Sequence, residues 1–238
     1  MMNVHGVQER IESLTARERD RMFALMQANY DGVLRETFER DLSEKDSVLV
    51  LRDRGELRGF STLKYFHREV DGQTVRVMYS GDTIVDKRCW GSPEVPKAIV
   101  RAQLDYLPHC EGDPLYWMLT TKGEKTYRFL PVLYRRFYPC VREETPYAIR
   151  RLIDCLATEK YGDAYDAERG VVVHPHGQRL KCDTAPVDGT RRKNPHVAYF
   201  LHRNPDYLRG DELVCVARVT WENLRSGIRR WMAREVTV

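Results

Sequence analysis

Between Leu14 and Leu42 the chain carries no glycine or proline apart from Gly32, and its apolar residues Met22, Leu25, Met26 and then Val33, Leu34 and Phe38 recur at helical spacing. That period lays them on one face of a helix. Thr15, with Glu18 three positions on, forms a capping box. The pattern therefore predicts one helix from Ala16 to about Asn29 and a second from about Gly32 to Asp41. The period then changes. Ser47 to Arg52 is a compact apolar run, Asp53 to Glu56 is a turn with Gly55, and Leu57 to Phe66 is aromatic and β-branched, which together predict a hairpin. After the Asp71-Gly72 turn, Val75, Val77 and Tyr79 alternate with Arg76, Met78 and Ser80 as a strand does. The strand resumes in Thr83-Ile84-Val85, and Gly81 between the halves marks a bulge.

A polar loop, Asp86-Lys87-Arg88-Cys89-Trp90-Gly91-Ser92-Pro93, leads into a helical pattern of Val95, Ile99, Val100, Leu104 and Leu107. Ser92 suits the N-cap and Pro93 the first helical position, where its missing N–H costs nothing. Leu115 to Thr120 is a buried strand, followed by a helical segment through Tyr127, Leu130, Leu133, Tyr134 and Phe137 that Pro131 should break or restart. Tyr147 to about Tyr161 is an amphipathic helix with Ile149, Leu152, Ile153 and Leu156 on one face. Gly162 to Gly210, rich in Gly, Pro and His, predicts long loops with one short strand at Val171-Val172-Val173. Leu213 to Thr220 is a strand, and Trp221 to Arg234 closes the chain as a helix.

Composition narrows the classes. The chain has 238 residues, 42% of them hydrophobic, which is ordinary for a folded domain and too high for disorder. Its net charge of +4 is small, and its longest basic run is Arg191-Arg192-Lys193. Without a basic stripe or a recognisable module, nucleic acid is not expected as a partner. Of the 39 basic residues, 30 are arginine, whose forked guanidinium pairs with phosphates and carboxylates. The six cysteines form no C-x-x-C pair, so neither a zinc ribbon nor a redox dithiol is expected. Charges arrive in the first ten residues before any apolar run, and no stretch approaches the roughly 20 apolar residues of a membrane helix. A cytoplasmic location with reduced thiols follows as the expectation.

The strand, bulge, loop and helix start around Val85 to Pro93 form a place where backbone N–H groups can face an anion. Arg88-Cys89-Trp90-Gly91-Ser92-Pro93 resembles the Q/R-x-x-G-x-G/A loop of the GCN5-related N-acetyltransferases (GNAT), with Arg88 and Gly91 matching and Pro93 departing from the pattern. Leu133-Tyr134-Arg135-Arg136-Phe137-Tyr138-Pro139 resembles the family's L-Y-x-x-x-G-F segment, and the order of elements from Leu14 to Pro139 is similar to the family's order. The resemblance implies an α+β fold: a central mixed, mostly antiparallel twisted sheet flanked by helices. The chain would form a single domain over residues 1–238, with approximately 143–210 as an insertion before the last strand.

The implied function is transfer of an acyl group from a phosphopantetheine thioester, acyl-CoA or acyl carrier protein, to an amine of a small-molecule acceptor. Ile84, Val85, Arg88, Gly91, Ser92 and Pro93 would bind the donor, and a backbone N–H near Ile84 or Val85 would meet the oxyanion. By the resemblance, Tyr134 would protonate the departing thiolate. Asp82, the acid nearest the bulge, is the candidate base or a relay through water, with stabilisation of the bulge or an ion pair to Arg76 or Arg88 as its structural alternative. Pro93 removes one N–H from the phosphate loop and Glu94 adds a negative charge beside it, both of which favour a singly charged donor phosphate such as that of a carrier protein. Arg128, Arg135, Arg136, Lys122 and Lys125 could meet an acidic carrier helix.

Tyr161, Tyr165, His174, His176 and Asp183 are the candidates to orient the acceptor. His174, His176 and Cys182 lack an obvious fourth ligand, so no metal is expected, and Cys89 reads as packing. A homodimer is left open. The rivals from other classes are a GNAT-like protein that binds an acyl thioester without chemistry and an Arg-rich surface that serves nucleic acid.

Overall fold

The computed structural model describes residues 4–174, 177–181, 187 and 189–235. In chain order the elements are β1 (Val4–Arg10), α1 (Ala16–Asn29), β2 (Tyr30–Asp31), α2 (Arg35–Ser43), β3 (Ser47–Asp53), β4 (Glu56–Val70), β5 (Gln73–Val85), α3 (Glu94–Tyr106) and β6 (Leu115–Thr121). They continue with α4 (Glu124–Tyr127), α5 (Phe129–Leu133), α6 (Tyr147–Tyr161), β7 (Tyr165–Asp166), β8 (Val171–Val172), β9 (Arg179–Leu180), α7 (Gly189–Arg192), α8 (Pro195–Arg203), β10 (Glu212–Arg218) and α9 (Ser226–Glu235). No helix is long and apolar enough to cross a membrane.

One mixed sheet runs in the order β1-β3-β4-β5-β6-β10-β8-β7, antiparallel throughout except between β5 and β6. The α+β class with a mostly antiparallel sheet is thus as expected. The alternation of strand side chains sends Leu49, Leu51, Trp117 and Leu119 to the face covered by α3. On the opposite face Val48, Val50 and Phe60 pack under α1 and α2, while Val77, Met118 and Val214 pack under α6. The capping box of Thr15 and Glu18 forms as read, with the Glu18 N–H donating to Thr15 Oγ1 at 3.3 Å and the Thr15 N–H to the Glu18 carboxylate at 2.9 Å.

Several elements differ from the sequence expectation, among them α8, a helix within the stretch expected to be long loops. β1, an edge strand paired with β3, is additional; half its positions face solvent, so it lacks the apolar run that marked its neighbours. The second helix begins at Arg35, three residues late, because the chain leaves α1 at an extended Tyr30, pairs Tyr30 and Asp31 with β9, and turns at Gly32 with φ +75° before it can become helical again. The last helix begins at Ser226, since Trp221 to Arg225 forms a turn that bridges Tyr134 through Leu224.

The bulge lies where Gly81 suggested. Ser61 pairs with Thr83 and Leu63 with Ser80, so Gly81 and Asp82 together oppose Thr62. The extra residue shifts the in-out phase of β5, and Ile84 joins the α1 and α2 face. A Cβ on Gly81 would stand 2.5 Å from Thr62 Oγ1, an oxygen that is buried and has no hydrogen-bond partner. Gly81→Ala is expected to cost about 1–3 kcal/mol through overpacking. Thr62→Ala in the same chain removes the clashing oxygen and should recover most of that loss in a denaturation midpoint.

Candidate active site

β5 and β6 are parallel and paired from Arg76/Leu115 to Ser80/Leu119, after which they no longer pair with each other, β5 staying with β4 and β6 with β10. The sheet therefore forks, and a cavity of 1380 Å³ fills the fork. Its walls come from the far end of β5, the loop and first turn of α3, α4 with α5, the α1–α2 junction, Lys160, Tyr161 and His174 from the segment after β6, and Glu212 of β10.

The fork also exposes a backbone donor. The Asp86 N–H donates to Arg58 O on β4 at 2.7 Å. By the two-residue alternation of an antiparallel pair, the Ile84 N–H faces β4, while those of Thr83 and Val85 face the gap. The Trp90 Nε1–H donates to Val85 O at 2.9 Å, which places the Val85 carbonyl on the gap side as well. Of the two positions named for oxyanion contact, Val85 is the one whose N–H reaches the cavity.

Asp82 lines the cavity half-buried, within the field of Lys122, Glu212, Lys45 and Asp41. Burial raises its carboxyl to about 6, with Lys122 opposing the rise. Arg76 instead pairs with Asp113 at 2.9 Å, and Arg88 pairs with Asp86, so neither holds Asp82. Across the cavity the Lys122 ammonium meets Glu212 Oε1 at 3.1 Å, and His174 Nε2 lies 3.5 Å from Glu212 Oε2. Burial pushes the Glu212 carboxyl up, yet Lys122 and His174 outweigh it and hold the group at about 2. The Tyr161 hydroxyl lies 3.0 Å from that of Tyr79 and 3.2 Å from Thr120 Oγ1, and burial drives both phenols above their ordinary range.

The other expected residues divide. Ile84, Val85, Gly91, Ser92 and Pro93 line the cavity, as do Tyr161, His174, Lys122, Lys125 and Arg128. Ser92 Oγ accepts the Glu94 N–H at 3.3 Å, so α3 starts one residue later than read and Pro93 becomes its cap. Arg88 is corrected: its guanidinium turns out to solvent and clasps Asp86 with Nε–Oδ1 of 3.0 Å and Nη2–Oδ2 of 2.6 Å.

Tyr134 is corrected too. α5 ends at Leu133, Tyr134 is extended, and its side chain is buried against Trp117 with the hydroxyl donating to Gln103 Oε1. The cavity wall on this segment ends at Val132, so the phenol does not reach it. Tyr134→Phe is expected to cost about 1–3 kcal/mol by stripping the buried Gln103 amide of its partner, with turnover unchanged.

Tyr165 lies under α6 with its hydroxyl on Asp154 at 2.7 Å, away from the cavity. His176, Cys182 and Asp183 lie outside the described residues. Among the described residues no three His, Cys, Asp or Glu side chains converge on a metal position. Tyr79, Thr120 and Glu212 join the site without having been read from the sequence, because they lie on strands whose apolar pattern signals only burial.

No family model and no curated protein matches the chain. Similar solved structures include a probable N-acyltransferase from Enterococcus faecalis V583, at 14% identity and a TM-score of 0.41 over 52% of this chain and 31% of that one. An aminoglycoside N-acetyltransferase in complex with CoA is 14% identical with a TM-score of 0.40, over 54% of this chain and 83% of that one. A GNAT family N-acetyltransferase from Escherichia coli in complex with CoA is 14% identical with a TM-score of 0.38, over 53% and 68%. The chain thus spans about a third of the first of these structures, and over roughly half of its own length it is similar to GNAT N-acetyltransferases.

Proposed function

We propose that the protein transfers an acyl group from a phosphopantetheine thioester, as acyl-CoA or acyl carrier protein, to the amine of a small molecule. The observation that supports this most directly is the strand fork, where the Val85 N–H faces a cavity that also holds Asp82.

The acceptor amine gives a proton to Asp82, and its lone pair attacks the thioester carbonyl carbon. The developing oxyanion takes the Val85 N–H, a donor held in place by the sheet. When the C–S bond breaks, the proton on Asp82 passes to the sulfur. That direction is favourable because a carboxyl near 6 is a stronger acid than a thiol of roughly 8.5. One residue therefore serves as both base and acid, and the core position of Tyr134 leaves no step unfilled. Tyr161, Tyr79 and Thr120 orient the acceptor from the fork's apex. Residues 143–210 are read as the insertion that supplies Tyr161 and His174 to the acceptor side.

The test is mass spectrometry of a panel of amines incubated with the protein and acetyl-CoA. Product formation that needs Asp82 supports transfer; tight donor binding without product from any amine supports a thioester-binding protein instead.

A further inference from the structure

The loop before α3 has little left to offer a diphosphate. The Arg88 N–H donates to Asp86 Oδ1 at 3.1 Å, that of Cys89 to Asp86 O at 2.8 Å, that of Trp90 to Lys87 O at 3.2 Å and that of Ser92 to Cys89 O at 3.1 Å. The Glu94 N–H is taken by Ser92 Oγ and the Lys97 N–H by Pro93 O, while Pro93 and Pro96 have none. Of the donors from Arg88 to Lys97, two helix-entry N–H groups, those of Gly91 and Val95, keep no such partner within the loop. The ammonium of Lys97 is neutralised by Glu94 at 2.9 Å. A helix start normally binds phosphate through several aligned free N–H groups, so this one is poorly equipped for two linked phosphates.

Lys125 stands over the Trp90 ring of this loop and lines the cavity with Arg191, and a second group of cations gathers beyond the cavity lip. Arg128 lines the cavity and is exposed. The Arg135 N–H donates to Asn223 O at 2.8 Å, that of Arg136 to Asn223 Oδ1 at 2.9 Å, and that of Arg225 to Leu133 O at 2.9 Å, which joins the two segments into one surface. Arg128, Arg142 and Arg225 all bear on His196, which holds its proton less readily, first through burial and then through these charges. No described carboxylate lies within ion-pair distance of Arg128, Arg135, Arg136 or Arg142. Val132, 48% exposed at the cavity edge, adds an apolar spot to the basic surface.

We infer that the donor is a phosphopantetheine thioester carried on an acidic protein, whose single phosphate meets Arg128 and whose acidic helix docks on the Arg135, Arg136 and Arg142 surface. This rests on the acyl-transfer reading for the donor's chemistry, while the docking surface stands on charge complementarity.

The test compares acetyl-CoA, acetyl-phosphopantetheine and an acetylated bacterial acyl carrier protein as donors. Because the loop keeps few N–H donors for the nucleotide's linked phosphates, kcat/KM with acetyl-phosphopantetheine should lie within about threefold of that with acetyl-CoA, and the carrier should exceed both. Arg135→Glu with Arg136→Glu should lower the ratio of carrier to acetyl-phosphopantetheine turnover by about 10-fold or more, through slower association that added salt mimics. A loss of more than about 30-fold on removing the nucleotide, or a ratio indifferent to charge reversal, overturns the inference while leaving acyl transfer intact. If no donor gives product with any amine, the acyl-transfer reading fails. Titration with the holo-carrier then decides the docking alone: salt-sensitive binding weakened by the double reversal supports it, and no binding overturns it.

Discussion

Asp82→Asn is expected to lower kcat by about 100-fold or more, in the range that general acid–base groups contribute, while donor affinity stays near that of the unaltered protein. The same substitution should raise stability at pH 8. Burial lifts the Asp82 carboxyl from its ordinary value to about 6, so the folded chain binds that proton more tightly than the unfolded chain does. Stability from this group is therefore greatest at low pH and is lost as pH rises toward 6. Above 6 the folded protein carries a charge it would shed, a burden of about 3 kcal/mol by linkage, and Asn removes it. The unaltered enzyme should gain activity as pH rises through about 6, and the Asn variant should lose that limb. A thermal melt and a pH–rate profile read both effects. An Asn variant that is slower and also less stable at pH 8 would make Asp82 a structural ion-pair partner.

Glu212→Leu should be the most destabilising single change in the cavity wall. Glu212 and Lys122 are 15% and 14% exposed, and removing the carboxylate leaves the ammonium of Lys122 without its nearest counter-charge. Breaking such a pair from one side costs about 3–5 kcal/mol. Lys122→Met in the same chain should recover most of that, because the desolvated charge is then gone. The pH dependence has the opposite sign to that of Asp82. The Glu212 carboxyl is depressed to about 2 in the folded chain, so its contribution is present above the ordinary carboxylate range and fades as pH falls through 2. Urea midpoints of the single and double variants at pH 7 test the coupling; equal losses in both would show that the pair contributes nothing.

Local pattern carried the reading of the elements far. The alternation of Val75, Val77 and Tyr79, the bulge at Gly81 and the capping box of Thr15 are consequences of neighbouring residues, and each stands where the spacing put it. Arg88 and Tyr134 show where a matched motif misleads. Arg88 lies two residues from Asp86, and that short loop lets the guanidinium fold back on the carboxylate. Tyr134 follows a helix that ends at Leu133, and one extended residue there turns the ring through to Trp117 and Gln103 in the core.

By itself the sequence determined the main helices and strands from α1 to β6, the bulged strand and the loop into α3, though not β1 or α8, since each element so read depends on period, caps and turns within a short window. Only the tertiary structure decided that β5 and β6 part after Ser80 and Leu119, that the Val85 N–H faces the gap, and that Lys122, Glu212 and His174 meet opposite Asp82. Those residues come from separate strands and loops, and their charges shift one another only at distances that packing sets. The chemistry of the fork is thus a property of strand pairing and burial, which no single stretch of the chain encodes.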